Sequence, residues 1–153
     1  MNLKPYNVNA VLRSIENVLK HNDSSKLTKE TYNFVSLMSG FIAHYDINGF
    51  MQHYVDMRDF VEQLELSIPV EIDVCRRDVN DEPEYNGYGL PYCQSKLEIV
   101  LGIAELVKKY KNSILKAEAE KDDDKFELLK ECVKRAETDN DMRKKLIDAV
   151  YNN

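Results

Sequence analysis

The chain is poor in the motifs that mark an active site. It has no HExxH pair, no GxSxG nucleophile turn and no CxxC, which argues against a zinc protease, a serine hydrolase and a thiol redox enzyme of the familiar kinds. Gly87 and Gly89 sit in NGYGLP, which lacks the Lys-Ser/Thr that a phosphate loop uses to hold nucleotide and magnesium. Cys75, Cys93 and Cys132 are an odd number with no histidine at zinc-site spacing, so reduced thiols are expected. No apolar run approaches a membrane span. The first residues, MNLKPYNVNAVLRS, have no continuous apolar centre of the signal-peptide type, and a cytoplasmic protein is the expectation. There is no repeat of solenoid length and no low-complexity segment.

Helical periodicity, by contrast, is plentiful. The 153 residues are 43% hydrophobic and 31% charged, enough for one domain with a sizeable core and against wholesale disorder. Val8, Val11, Leu12, Ile15, Val18 and Leu19 fall at helical spacing, with Asn7 as N-cap, and predict a helix over about 7–21. Thr28 caps a second helix whose apolar face runs Tyr32, Val35, Leu37, Met38, Phe41, Ile42, Tyr45. Asp56 is placed to restart a helix as a fresh cap, with Met57, Phe60, Val61 and Leu64 carrying its face to about Leu66. Ile68-Pro69 is expected to end it, because a residue before proline avoids helical backbone. Residues 67–92 then read as a long irregular loop. Val70, Ile72 and Val74 alternate with Glu71 and Asp73 like a short strand or hairpin, and Asn80, Pro83, Asn86-Gly87, Gly89 and Pro91 punctuate the remainder. From Ser95 a long helix is predicted to about Glu120, lined by Leu97, Val100, Leu101, Ala104, Val107, Ile114 and Leu115. Asp122–Asp124 offer caps for another, faced by Phe126, Leu129, Cys132, Val133 and Ala136. A last short helix carries Met142, Leu146, Ile147 and Val150. The expectation is an all-α single-domain bundle, 1–153, of five to seven helices.

The most unusual pattern is a doubled one. GFIAHYD at Gly40–Asp46 returns as GFMQHYVD at Gly49–Asp56. Nine residues on one helix is half a turn out of phase, so the copies would face opposite ways. Asn48-Gly49 is a helix-stop signal. The pattern therefore predicts two helices meeting at a corner, with Phe41/Tyr45 and Phe50/Tyr54 as facing pairs. His44 and His53, with Asp46 and Asp56, are metal-ligand types in no recognised spacing, and a small metal-dependent helical enzyme is the alternative they define. No cofactor is expected on the leading reading.

Charge supplies that reading. From Asp46 to Glu84 eleven acids meet only Arg58, Arg76 and Arg77, although the whole chain carries a net charge of −6. Phosphate would be repelled here, which argues against direct nucleic-acid binding, and a basic protein would be attracted. Tyr85 and Tyr88 add side chains that bury large area at modest entropic cost. Asp56, Asp59, Glu62, Asp73, Asp78, Asp81, Glu82, Glu84, Tyr85 and Tyr88 are therefore the expected partner-binding set, on a non-enzymatic protein-binding module. A structural homo-oligomer is a further alternative.

FIAHYDINGFMQHYVDMRDFVEQL, Phe41–Leu64, resembles a segment of small uncharacterised proteins of bacteriophages and mobile elements. The resemblance implies an accessory or host-takeover role. One subclass, the anti-CRISPR inhibitors, is often small, acidic and non-catalytic and covers the DNA-contacting surface of a nuclease, where carboxylates occupy the Lys/Arg sites meant for phosphates.

Overall fold

A computed structural model describes residues 3–38, 56–80, 87–138, 144 and 147–150. Among them every regular element is helical and there is no strand, so the chain is all-α. The elements are α1 (Val8–His21), a 3-10 turn (Ser24–Lys26), α2 (Lys29–Met38), α3 (Met57–Asn80) and α4 (Leu90–Thr138), with residues 147–150 helical as well. The doubled segment at Gly40–Val55 lies outside the described residues.

The helix ends follow their chemistry. Asn7 caps α1 by accepting from the Ala10 N–H at 3.1 Å. Asn22 ends it in the left-handed conformation (φ 49°), and its N–H turns back to the Val18 and Leu19 carbonyls. Thr28 Oγ1 accepts from the Thr31 N–H at 3.4 Å at the start of α2, while the Thr28 N–H reaches back to Ser14 Oγ on α1 at 3.0 Å. Asp56 caps α3, accepting from the Arg58 N–H at 2.9 Å.

The chain divides into two compact units, Met1–Leu115 and Lys116–Asn153. In the first, one apolar cluster joins four helices. Ile15, Val18 and Leu19 of α1 pack with Phe34 and Val35 of α2, Phe60, Val61, Leu64 and Ile68 of α3, and Ile99, Val100, Ile103 and Val107 of α4. All are buried, and within α1, α3 and α4 they recur at spacings of three and four, the period of a helix with one core-facing stripe. In the second unit none of the described residues is buried.

Three sequence expectations are corrected. Residues 67–80 are neither loop nor strand: α3 continues through Pro69 to Asn80. Proline removes the hydrogen bond to the Glu65 carbonyl, but Leu64, Ile68, Ile72 and Cys75 keep a helical stripe against the core, and their burial outweighs the lost bond. The period-two reading of Val70, Ile72 and Val74 fails because Val70 and Val74 are exposed while Ile72 packs inward. Second, α4 begins at Leu90 rather than Ser95. Gly89, at φ 85°, supplies a backbone conformation that side-chain-bearing residues avoid. Its carbonyl accepts from the Cys93 N–H at 3.2 Å, and Pro91 falls in the first turn, where no N–H is missed. Third, Asp122–Asp124 start no new helix; α4 runs unbroken to Thr138. Beyond Gly102 it contains no glycine or proline to stop it, and a capping residue acts only where a helix has already ended.

Candidate binding surface

Helix α3 has two unlike faces. One is the core stripe of Phe60, Val61, Leu64 and Ile68. On the other side Asp59, Leu66, Val70 and Asp73 recur at spacings of seven, four and three, which places them in one band along the helix. Leu66 is 64% and Val70 62% exposed, large values for apolar side chains at mid-helix. Val74 extends the apolar strip by one turn, and Pro69 is exposed beside it. Asp59, Glu62 and Asp73 are exposed around the strip and have no ion-pair partner among the described residues. The other two α3 acids with long side chains are neutralised by α4: Glu65 meets Lys111 Nζ at 2.8 Å, and Glu71 meets Lys96 Nζ at 3.9 Å. An apolar centre with a polar rim is the usual make-up of a protein-recognition patch.

Asp56 has a local job. Burial pushes its carboxyl up. Hydrogen bonds from the Arg58 guanidinium and backbone, the Arg58 charge and the Asp59 N–H outweigh that and hold it below the ordinary carboxylate value. The guanidinium lies 3.3 Å from Oδ2. Its oxygens are thus committed to capping α3, and of the four residues that define the metal alternative it is the only one described. Among the described residues no group of three or more His, Cys, Asp or Glu is placed to hold a metal ion. His44, His53 and Asp46 lie outside them, as do Asp81, Glu82, Glu84 and Tyr85 of the expected partner-binding set.

Asp78 and Tyr88 come together at a small cavity. A space of about 260 Å³ is lined by Leu37 of α2, Cys75 and Asp78 of α3, Tyr88 just before α4, and Tyr92, Cys93 and Lys96 in its first turns. The N-terminal arm fastens this corner. The Leu3 N–H donates to the Tyr88 carbonyl at 2.9 Å, the Tyr6 N–H donates to Ser95 Oγ at 3.0 Å, and the Tyr6 and Tyr92 hydroxyls share a hydrogen bond of 3.1 Å. Tyr88 and Tyr92 have ring centroids 5.4 Å apart, so the exposed Tyr88 ring rests on a fixed neighbour. Cys75 and Cys93 are buried free thiols. Burial pushes the Cys75 thiol up to about 11; the Lys96 charge opposes this, and Glu71, Asp78 and Cys93 add to it. At neutral pH Cys75 is a thiol, the wrong form for a nucleophile.

The structure therefore gathers Asp59, Glu62 and Asp73 on the exposed side of α3, and Asp78 with Tyr88 at its C-terminal end. Sequence reasoning missed Leu66, Val70 and Val74 as an exposed apolar strip. Their spacing of four was visible, but the proline between them suggested that no helix existed there to carry it. No helix of the described residues is long and apolar enough to cross a membrane. Comparison of the chain with protein-family models, curated proteins and solved structures finds no match.

Proposed function

We propose that the chain is a non-enzymatic binding protein that engages a basic, nucleic-acid-handling protein, with the exposed side of α3 as its docking surface. The observation that carries this reading is the pairing of Leu66 and Val70 with the surrounding carboxylates of Asp59, Glu62 and Asp73. The apolar strip provides area to bury. The carboxylates favour encounter with a positive surface and disfavour phosphate. Asp78 and Tyr88 meet at a separate cavity beyond that strip, and Asp81, Glu82, Glu84 and Tyr85 belong to the proposed set by sequence alone. The finer form of the proposal is a phage-type inhibitor of a nuclease such as a CRISPR effector, and it rests on the resemblance of Phe41–Leu64 together with the acidic balance of the chain.

The test is titration of the purified chain against purified guide-loaded CRISPR nucleases at 50 to 500 mM salt, with and without target DNA. The proposal expects binding that competes with DNA and weakens steeply with salt. The triple variant Asp59→Lys/Glu62→Lys/Asp73→Lys should lose at least tenfold in affinity, and Val70→Asp a similar amount. Unchanged affinity in both variants would remove α3 from the interface. Absence of binding at low salt would remove the nuclease as the partner.

A further inference from the structure

The part of α4 beyond Lys116 is a helix with an uncovered apolar stripe. Phe126, Leu129 and Val133 are 57%, 63% and 52% exposed. Their spacings of three and four place them on one seam, as in the a and d positions of a coiled coil. A groove of about 850 Å³ runs beside the seam, lined by Asp124, Phe126, Leu129, Lys130 and Val133 among others. Helices of this size draw most of their stability from packing an apolar face, and no described residue of this unit is buried.

The charge pattern says what fits the seam. Glu118–Asp124 holds five acids and one lysine, whereas Lys125–Arg135 holds four bases and two acids. A uniformly acidic or uniformly basic partner suits one half and clashes with the other. A second copy laid parallel sets acids beside acids. A second copy laid antiparallel removes that clash: with Phe126 set against Leu129, the acidic stretch 118–124 faces 131–137, whose two acids and two bases cancel. The intrahelical pairs Lys130–Glu127 at 3.7 Å and Arg135–Glu131 at 3.0 Å are exposed and weak enough to yield to an interchain arrangement.

We infer that this segment of α4 pairs with a second copy of itself, antiparallel, about a two-fold axis near Glu127 and Leu128. In this register Phe126 of each copy packs on Leu129 of the other, and Asp123 lies alongside Lys130 of the other. The contact is isologous and closes at two copies. The Lys130 ammonium, 4.7 Å from the Phe126 ring centroid, flanks the seam without filling it. Asp122, one heptad position before Phe126, falls at the end of the apolar contact and limits its length, so the dimer is a weak one.

Sedimentation equilibrium of the full chain from 1 to 300 µM tests this. The expected result is a mass rising from 17.8 kDa toward twice that value. Leu129→Lys, an exposed substitution, should weaken association at least tenfold while the circular dichroism of the monomer is retained. The variants Asp122→Lys/Asp123→Lys/Asp124→Lys and Lys130→Glu/Lys134→Glu/Arg135→Glu should each stay monomeric alone and form a heterodimer when mixed. Orientation is read by Lys125→Cys, which under mild oxidation should form a disulfide with Cys132 of the other copy, assigned by peptide mapping. A monomer at 300 µM overturns the inference. So does a dimer indifferent to Leu129→Lys, or one cross-linked only between identical positions.

Discussion

The hydroxyls of Tyr6 and Tyr92 lie 3.1 Å apart, joining the N-terminal arm to the first turn of a helix that begins more than eighty residues later. The same Tyr6 ring meets Phe34 edge-on, with centroids 5.0 Å apart and an interplanar angle of 89°. One side chain thus ties the arm to both α2 and α4. Tyr6→Phe keeps the ring contacts and removes the shared hydrogen bond, and should cost about 1 kcal/mol. Tyr6→Ala removes both and should cost about 2–3 kcal/mol. Urea unfolding of the two variants checks the order; equal losses would mean that the hydroxyl alone, and not the ring, holds the arm.

Alkaline pH should destabilise the fold through two acids, the buried Cys75 and the half-buried Tyr6. Burial raises the Cys75 thiol from 9.0 to about 11. Burial, with the hydrogen bond and proximity of Tyr92, raises Tyr6 well above its ordinary 10.0. Each group keeps its proton in the folded state at a pH where the unfolded chain has lost it. Above about pH 9 the unfolded state binds fewer protons, so stability falls as pH rises. For Cys75 the fall runs from about 9 to about 11; for Tyr6 it begins near 10. Chemical denaturation at pH 7.5, 9 and 10.5 should show a declining midpoint, and Cys75→Ala should flatten the first part of the decline. Thiol titration adds a check at neutral pH: Cys132 is exposed and should react at once, whereas Cys75 and Cys93 are buried and should wait for unfolding.

Pro69 is a stabilising substitution in waiting. It is exposed in mid-helix, so Pro69→Ala gains a backbone donor and a better helix former without touching the core. The expected gain is about 1–3 kcal/mol. A loss on thermal melting would mean that α3 requires a bend at this point to bring Ile68 and Cys75 onto the core together.

At Gly102 the helices α1 and α4 come into close contact. A Cβ placed there would lie 2.7 Å from both Leu12 methyl carbons. Gly102→Val should destabilise by about 1–3 kcal/mol. Gly102→Ala sets a helix-propensity gain of about 1 kcal/mol against displacement of the Leu12 side chain. In a Leu12→Ala background that conflict is gone. A double-mutant cycle should therefore find Gly102→Ala more favourable there by about 0.5–1 kcal/mol; strict additivity would contradict the contact.

Much of the fold is legible along the chain. α1, its Asn7 cap and its stop near Asn22 follow from spacing and capping chemistry alone, as do Thr28 at the head of α2 and Asp56 at the head of α3. These are local events, decided within a turn or two. The two failures differ in kind. Proline signals a stop at residue 68, and burial of Ile68, Ile72 and Cys75 overrules it. An aspartate run signals a fresh start at residue 122, but no helix stop precedes it for a cap to act on.

The candidate surface divides the same way. Sequence alone establishes that the acids concentrate between residues 46 and 84, because charge is counted without coordinates. It cannot say which acids stay available. Lys111 and Lys96 reach Glu65 and Glu71 from α4, so those two charges are offset while Asp59, Glu62 and Asp73 face outward. Nor can it turn Val70 and Val74 outward: that depends on Ile68, Ile72 and Cys75 finding a core contributed by helices distant in sequence. Periodicity, caps and net charge are properties of neighbours in the chain, and the sequence determined them. Which face of α3 is buried, and which carboxylates stay exposed, depend on partners brought in by folding, and only the tertiary structure decided them.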